Sequence, residues 1–487
     1  MKYDIVIIGS GPAGRRAAIQ ASKAGKSVLI VEKNARVGGV SVHTGTIPSK
    51  TLRETVLNLS GWRERSFYGQ SYKVKKDICA DDLKNRLSKT LTHEVEILEH
   101  QFNRNGVKFT QGIARFLSDN EVEITNATDQ RRVVKFDKAI LAVGTKPFRP
   151  DYVPFDGERV LDSDEILELT ELPKSLTVIG AGVIGLEYAT IFSALDVSVT
   201  IIEPRETVLD FIDREIIEDF LHDLRERGVT LRLGRKAGDI KIRANDCIVP
   251  LDDGRAVKSD MVLFAAGRMG ATDTLNLEVC GLEMDHRGRV TVNPETFQTE
   301  AENIYAVGDV IGFPSLASTS MEQGRIAACH ACNVELTKPV EHFPYGIYAV
   351  PEISTVGYSE QELKEKGIVY ECGIARFRET SRGHIMGLNS GMMKMLFCLE
   401  SKKLLGVHIL GEGATELIHI GQAVLNLGGT LEYFMENVFN YPTLAEAYKI
   451  AALDAWNRIN VKDLLECEEN KPVVKQQLDK LLGSKVA

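Results

Sequence analysis

One arrangement occurs twice in this chain, and it limits the possible folds more than any other feature. Tyr3-Asp4-Ile5-Val6-Ile7-Ile8 leads directly into Gly9-Ser10-Gly11-Pro12-Ala13-Gly14, then a helical stretch from Arg15 to Ala24, then an apolar run from Ser27 to Glu32. The order returns at Ser175 to Glu203, around Gly180-Ala181-Gly182-Val183-Ile184-Gly185. In both copies the acid, Glu32 or Glu203, falls 18 positions after the third glycine. Unbroken β-branched runs suit strands of a parallel sheet covered on both faces. Gly9 and Gly180 allow a sharp turn, Gly11 and Gly182 let the backbone approach a pyrophosphate, and Gly14 and Gly185 let the helix pack close to the strand. The helix N-terminus offers unpaired N–H groups and the positive end of its dipole to the phosphates. Glu32 and Glu203 are placed to accept hydrogen bonds from ribose hydroxyls. A single GxGxxG is weak evidence, because glycine also serves ordinary turns. Two copies with matched strand, helix and acid indicate a duplicated dinucleotide-binding unit.

Length and charge narrow the remaining classes. The 487 residues allow about three domains. Lys and Arg number 59 against 68 Asp and Glu, so no basic excess points to nucleic acid. The eight cysteines are scattered, as in a reducing compartment and unlike a secreted disulfide scaffold. Met1 to Asp4 runs straight into a strand and gives no secretory signal. The apolar tract from Leu176 to Ile202 is broken by three glycines and carries Glu187 and Asp196, which excludes a membrane span. The expectation is a soluble, cytoplasmic protein with no membrane insertion. Between the copies, Thr51 to Gln101 reads as amphipathic helix and Val107 to Lys138 as short strands. More strands follow up to Ala306. From Phe343 come strands such as Met393 to Phe397, then a helix from Glu412 to Leu427. A charged tail, 461–487, carries an apolar rhythm at Val473, Leu478 and Leu481.

Gly38-Gly39-Val40-Ser41-Val42-His43-Thr44-Gly45-Thr46-Ile47-Pro48-Ser49-Lys50 resembles the redox-active segment of the pyridine nucleotide-disulfide oxidoreductases. Ile304-Tyr305-Ala306-Val307-Gly308-Asp309-Val310 is similar to that family's second FAD motif. Ala142-Val143-Gly144-Thr145 and Ala266-Gly267-Arg268 are similar to the short motifs that close its two nucleotide domains. The resemblance covers roughly residues 1 to 458. It implies an α/β protein with two Rossmann-like domains, for FAD and NAD(P), plus an α+β C-terminal dimerisation domain. The implied boundaries are 1–150 for the first part of the FAD domain and 151–280 for the NAD(P) domain. A central segment, 281–342, completes the flavin site, and 343–460 forms the dimerisation domain. The implied assembly is a homodimer or higher homo-oligomer.

The chain departs from that family where its chemistry is concentrated. Ser41 and Thr46 stand where the disulfide reductases have two cysteines, and a hydroxyl has no comparable redox chemistry. Tyr441 stands where their base histidine would be, although Glu446 is retained. Cys329-His330-Ala331-Cys332 is a CxxC, but it falls on a helical stretch, Glu322 to Asn333, where two small apolar side chains are the simpler reading. His419, on an apolar helix, reads as a packed or interface histidine. Gly45 to Lys50, Pro314 to Ser318, Gln323 to Arg325, Glu416 to Gly421 and Phe439 to Thr443 are similar to the transhydrogenase branch of the family, which also lacks a working disulfide. Ser41 departs even there, where that branch keeps a single cysteine.

The resemblance also implies roles. Lys50 lies beside flavin N5 with Glu187 as its ion-pair partner, and Thr46 places a hydroxyl where a thiolate would otherwise sit. Asp309 binds the ribityl chain, and Ala317 opens a helix whose N–H groups face the flavin's C2 carbonyl. Gly144 and Gly267 border the two nucleotides. No metal is expected. The implied reaction moves hydride from one nicotinamide to flavin N5 and on to a second, between NAD(H) and NADP(H). Alternatives are an NAD(P)H-dependent reductase of quinones or other acceptors, an NADH oxidase, or a flavin-bearing subunit that serves a partner. Glu203 favours the free 2′-hydroxyl of NAD(H). Arg205, two residues on, offers a partner to the 2′-phosphate of NADP(H).

Overall fold

A computed structural model describes residues 1–335 and 342–466. By its internal contacts the chain separates into two compact units. The first holds Met1–Trp62, Lys73–Val208 and the chain from Gly228 to 335. The second holds Arg63–Tyr72, Leu209–Arg227 and the described chain from 342.

In the first unit the β-branched runs form strands. Lys2–Ile8 lies between Val28–Glu32 and Arg131–Leu141, parallel to both, with Ile7 opposite Ile30 and Ile140. Ile5 and Ile7 pack on one face with Ala17, Ala18, Ala327 and Ala328. Val6 and Ile8 pack on the other with Leu29, Phe116 and Phe136. This two-residue alternation explains why the run is apolar throughout. Each such side chain contributes about 1.5–3 kcal/mol on burial. Lys108–Gln111 extends the sheet beyond Val28–Glu32, and Glu121–Thr125 and Ile113–Ser118 extend it beyond Arg131–Leu141. Ile304–Ala306 also pairs with Arg131–Leu141, in parallel, returning a distant segment to the first copy. Helix Ala317–Ala331 lies against helix Pro12–Lys23 so closely that a Cβ on Gly324 would overlap the Ala13 carbonyl.

The second copy builds its own parallel sheet, ordered Thr230–Leu233, Ser198–Glu203, Ser175–Ile179, Met261–Phe264, Val160–Asp162. An antiparallel ribbon of Thr145–Pro147 and Arg268–Gly270 joins the segments that close the two copies.

The stretch from Thr51 to Gln101, expected as amphipathic helix, is broken: two long helices, Thr46–Leu59 and Ala80–Arg104, are separated in sequence by a short one, Arg65–Tyr68. Gly61 and Gly69 adopt φ +62° and +90°, a left-handed backbone that ends helical winding. The second helix restarts in a capping box between Cys79 and Asp82. The apolar rhythm survives within it, burying Leu83, Leu87, Val95, Leu98 and Phe102.

The second unit is an antiparallel five-stranded sheet ordered Tyr345–Ile347, Ile353–Gly357, Leu404–Leu410, Met392–Cys398, Tyr370–Arg376. Its core includes side chains of helices Ala414–Asn426 and Glu446–Glu466. Strand Met392–Cys398 includes Lys394, which is fully buried, with its ammonium 2.9 Å from Asp213, 3.0 Å from Glu215 and 2.6 Å from Glu360. Only the start of the charged tail, Val461 to Glu466, belongs to a described helix. Its apolar positions Val473, Leu478 and Leu481 lie outside the described residues. No helix among the described residues is long and apolar enough to cross a membrane.

Candidate active site

Each fingerprint turn is held by backbone that leaves no room for a side chain. Gly9 and Gly180 adopt φ +103° and +102°, and a Cβ would strike the carbonyl of Ala142 or Ala265. A Cβ on Gly14 or Gly185 would overlap the carbonyl of Gly9 or Gly180. Gly11 and Gly182 differ, since a Cβ at either would meet nothing within 4 Å. That open space lies at the N-cap of helices Pro12–Lys23 and Val183–Ser193, neither of which has a side-chain cap. The orphan N–H groups and open space fit a phosphate group.

The acids are less available than their spacing suggests. Glu32 is 4% exposed and accepts from Ser10 N (3.0 Å), Ser10 Oγ (2.7 Å) and Asn34 N (3.0 Å). The Ser10 hydroxyl in turn accepts from Gly38 N at 2.9 Å, tying the turn to the loop before Ser41. Glu203 is 5% exposed and accepts from Ala181 N (2.8 Å), Arg205 N (3.2 Å) and Arg205 Nε (2.9 Å). Burial opposes its ionisation, but Arg205 and these N–H groups together hold its carboxyl below the ordinary range. Both acids therefore brace their own turns, a function that spacing alone does not display.

The ribbon between the copies carries a residue that sequence reading treated only as part of a motif. Arg268 donates to Thr145 Oγ1 (2.9 Å) and O (3.0 Å), Ser163 Oγ (3.1 Å) and Asp164 (3.1 Å). On either side of it, Gly267 O accepts from Phe148 N and Gly144 O from Ala271 N. Asp309 follows strand Ile304–Ala306 on a tight turn. Burial pushes its carboxyl above the ordinary range, against the pull of Arg268, Ser320 and Thr145. Ala317 opens helix Ala317–Ala331, whose N-terminus also lacks a side-chain cap.

Lys50 and Glu187 come together from opposite copies. The ammonium lies 2.8 and 2.9 Å from the two carboxylate oxygens and 3.2 Å from Ser49 Oγ. Glu187 is buried, while Lys50 retains about a quarter of its exposure. Thr46 is exposed at the first position of helix Thr46–Leu59, and Ser41 lies on the short helix Gly39–His43. The described cysteines are all free thiols. Burial pushes the thiols of Cys329 and Cys332, at the end of helix Ala317–Ala331, above their ordinary range, which suppresses the reactive thiolate.

In the second unit, Tyr441 is exposed with its hydroxyl 2.6 Å from Ser381 Oγ. Glu446 opens helix Glu446–Glu466, and His419 is exposed beside Gln422. Among the described residues, Asp213, Glu215 and Glu360 alone gather enough ligand atoms for a metal, and the Lys394 ammonium already lies among them.

The family model for pyridine nucleotide-disulphide oxidoreductases matches residues 3–324, and the model for that family's dimerisation domain matches 343–452. The chain belongs to the pyridine nucleotide-disulphide oxidoreductases. Members of this family are FAD-dependent, and this oxidoreductase is a flavoprotein enzyme acting on pyridine nucleotides. The dimerisation domain supports a homodimer. A soluble pyridine nucleotide transhydrogenase from Mycobacterium tuberculosis is 49% identical over 459 residues, 94% of this chain and 98% of that protein. One from Colwellia psychrerythraea is 42% identical, again covering 94% and 98%. The solved structure of LpdA from M. tuberculosis superposes with a TM-score of 0.85 at 24% identity, a likeness of fold, covering 93% of this chain and 99% of that one. The HOCl-induced flavoprotein disulfide reductase RclA from Escherichia coli gives 0.83 at 25% identity, with the same coverage. Unlike a disulfide reductase, this pyridine nucleotide-disulphide oxidoreductase has hydroxyls at Ser41 and Thr46.

Proposed function

We propose that this flavoprotein transfers hydride between NAD(H) and NADP(H) without a redox disulfide. The observation that carries this reading is an intact Lys50–Glu187 pair in a segment whose two sulfur positions are hydroxyls. Relatives 42–49% identical over nearly the whole chain are named soluble pyridine nucleotide transhydrogenases, which supports it.

Gly9, Gly11, Gly14, Glu32, Gly144, Asp309 and Ala317 would hold FAD, in a domain spanning 1–150 and completed by 281–342. When bound, FAD supplies a two-electron carrier. Lys50, fixed by Glu187, places a positive charge that favours negative charge nearby, more strongly in a dry site than in water. Thr46 offers a neutral hydroxyl where a thiolate would add competing charge. Gly180, Gly182, Gly185, Gly267, Glu203 and Arg205 would hold the nicotinamide dinucleotide, in a domain spanning 151–280. The same site would accept both nucleotides in turn, since Ser41 and Thr46 cannot relay electrons as a thiol pair does. We place this homodimer, built through residues 343–460, in the cytoplasm with small nicotinamide substrates.

Steady-state kinetics of the purified protein with NADPH and a reducible NAD analogue test the reading. Parallel double-reciprocal lines are expected, as for a ping-pong sequence. Rapid quinone reduction without turnover between the two nicotinamides would replace it with a quinone reductase.

A further inference from the structure

We propose that Arg235 is the second specificity-determining cation for NADP(H), acting with Arg205 on the 2′-phosphate. This inference rests on the reading that one site takes both nucleotides.

A ribose 2′-phosphate brings about −1.5 to −2 charges near neutral pH. Arg205 alone cannot balance it, because Arg205 is already neutralised by Glu203 at 2.9 Å. The adjacent strand provides the missing charge. Strands Ser198–Glu203 and Thr230–Leu233 run parallel with Glu203 opposite Leu233. Beyond that pair, Gly234 N donates to Arg205 O at 2.9 Å and Arg235 N to Glu203 O at 3.1 Å. The backbones of Arg205 and Arg235 are therefore held side by side at the strand ends, where an open sheet binds its ligand.

The ion pairs there are unequal in sign. Asp253 pairs with Arg235 Nε at 3.0 Å and with Arg255 at 2.8 Å, so one carboxylate faces two guanidinium groups. Glu203 and Arg205 sum to zero, while Asp253, Arg235 and Arg255 leave one positive charge. Both arginines can also be recruited without leaving either carboxylate unpaired. If Arg205 turns to a phosphate, Glu203 keeps the Ala181 and Arg205 N–H groups. If Arg235 turns, Asp253 keeps Arg255 and its N–H. Arg205 and Arg235 side chains are 51% and 41% exposed, which leaves each room to move. Neither spacing nor the fingerprint marks Arg235, because it lies 32 positions after Glu203.

Binding of 2′,5′-ADP, 5′-AMP, NADPH and NADH to the flavin-loaded protein tests this, for wild type, Arg235→Gln, Arg235→Lys and Arg205→Gln. Arg235→Gln is expected to weaken 2′,5′-ADP and NADPH about tenfold or more, the size of a lost charged hydrogen bond, with 5′-AMP and NADH within about twofold. Arg235→Lys should recover part of the loss, and added salt should narrow the gap between wild type and Arg235→Gln. Equal weakening of phosphorylated and unphosphorylated probes, or no weakening of either, overturns the assignment. If wild type binds 2′,5′-ADP no tighter than 5′-AMP, the dual-nucleotide reading falls together with it. Tight wild-type binding that Arg235→Gln leaves unchanged overturns Arg235 alone.

Discussion

In the copy that begins at Gly9 the strand-end acid is tied to a buried neutral hydroxyl, Ser10, whereas in the copy that begins at Gly180 it is tied to Arg205, a guanidinium half open to solvent. The turns themselves are nearly superimposable in kind, with φ +103° against +102° and the same carbonyl overlap at the third glycine. The difference lies in what can move. The Ser10 network continues into Gly38 and cannot rearrange without disturbing the loop before Ser41. Arg205 can swing away while Glu203 keeps two backbone donors. A closed neutral network suits a resident ligand, and a half-exposed cation suits one that must exchange.

The largest expected effect comes from filling the third glycine. Gly14→Ala and Gly185→Ala each force a Cβ into a backbone carbonyl, with a destabilisation of about 1–3 kcal/mol or more. Gly14→Ala should lose flavin, read from the visible absorbance after gel filtration. Gly185→Ala should keep its flavin and lose nicotinamide binding. Loss of flavin from both variants would erase the division between the copies.

Lys50→Met tests the pair that joins them. A buried Glu187 without its ammonium should lower stability by about 1–3 kcal/mol, less than for a fully buried pair because Lys50 is partly exposed. The flavin's reduction potential and its rate of reduction by NADPH should both fall. Adding Glu187→Gln should restore the melting temperature but not the potential. An unchanged potential in Lys50→Met would remove the pair from the chemistry.

Next come the partners that distinguish the acids. Arg205→Ala should weaken NADP(H) by about 1–3 kcal/mol and leave NAD(H) nearly unchanged. Glu203→Ala should harm both nucleotides, because Glu203 also holds the Ala181 turn, whereas Glu203→Gln should act mainly on NAD(H). Ser10→Ala should instead weaken FAD retention, measured by ultrafiltration. Nucleotide titrations that show no difference between Arg205→Ala and wild type would make the two copies equivalent.

The smallest effect is a pH dependence. Glu203 is held below its ordinary value of 4.5, so the stability it adds is present above that pH and lost as pH falls through its lower folded value. Screening by solvent at Arg205 keeps this under about 1 kcal/mol. Melting curves of wild type and Glu203→Gln should converge as pH falls below 4.5 and stay apart at pH 6. A constant separation across that range would mean Glu203 is not held by charge.

The sequence by itself determined the duplicated turn, both parallel strand runs and the hydroxyls at Ser41 and Thr46, while the pairing of Lys50 with Glu187 came from the family resemblance. These are legible because a β-branched run, three glycines at fixed spacing, or the absence of sulfur is a property of the residue and its immediate neighbours. Tertiary structure decided where the helix from Thr51 breaks, since the left-handed turns at Gly61 and Gly69 outweigh an apolar rhythm that continues on either side. It also decided that Glu32 and Glu203 brace their own turns and that Arg268 bridges the closing motifs. Only there did a buried Lys394 gather three carboxylates and Arg235 reach the side of Arg205. Each of these depends on the pairing of strands distant in the chain or on burial among several elements. No local spacing encodes such meetings, because the free energy that fixes them comes from groups that become neighbours only once the sheets have formed.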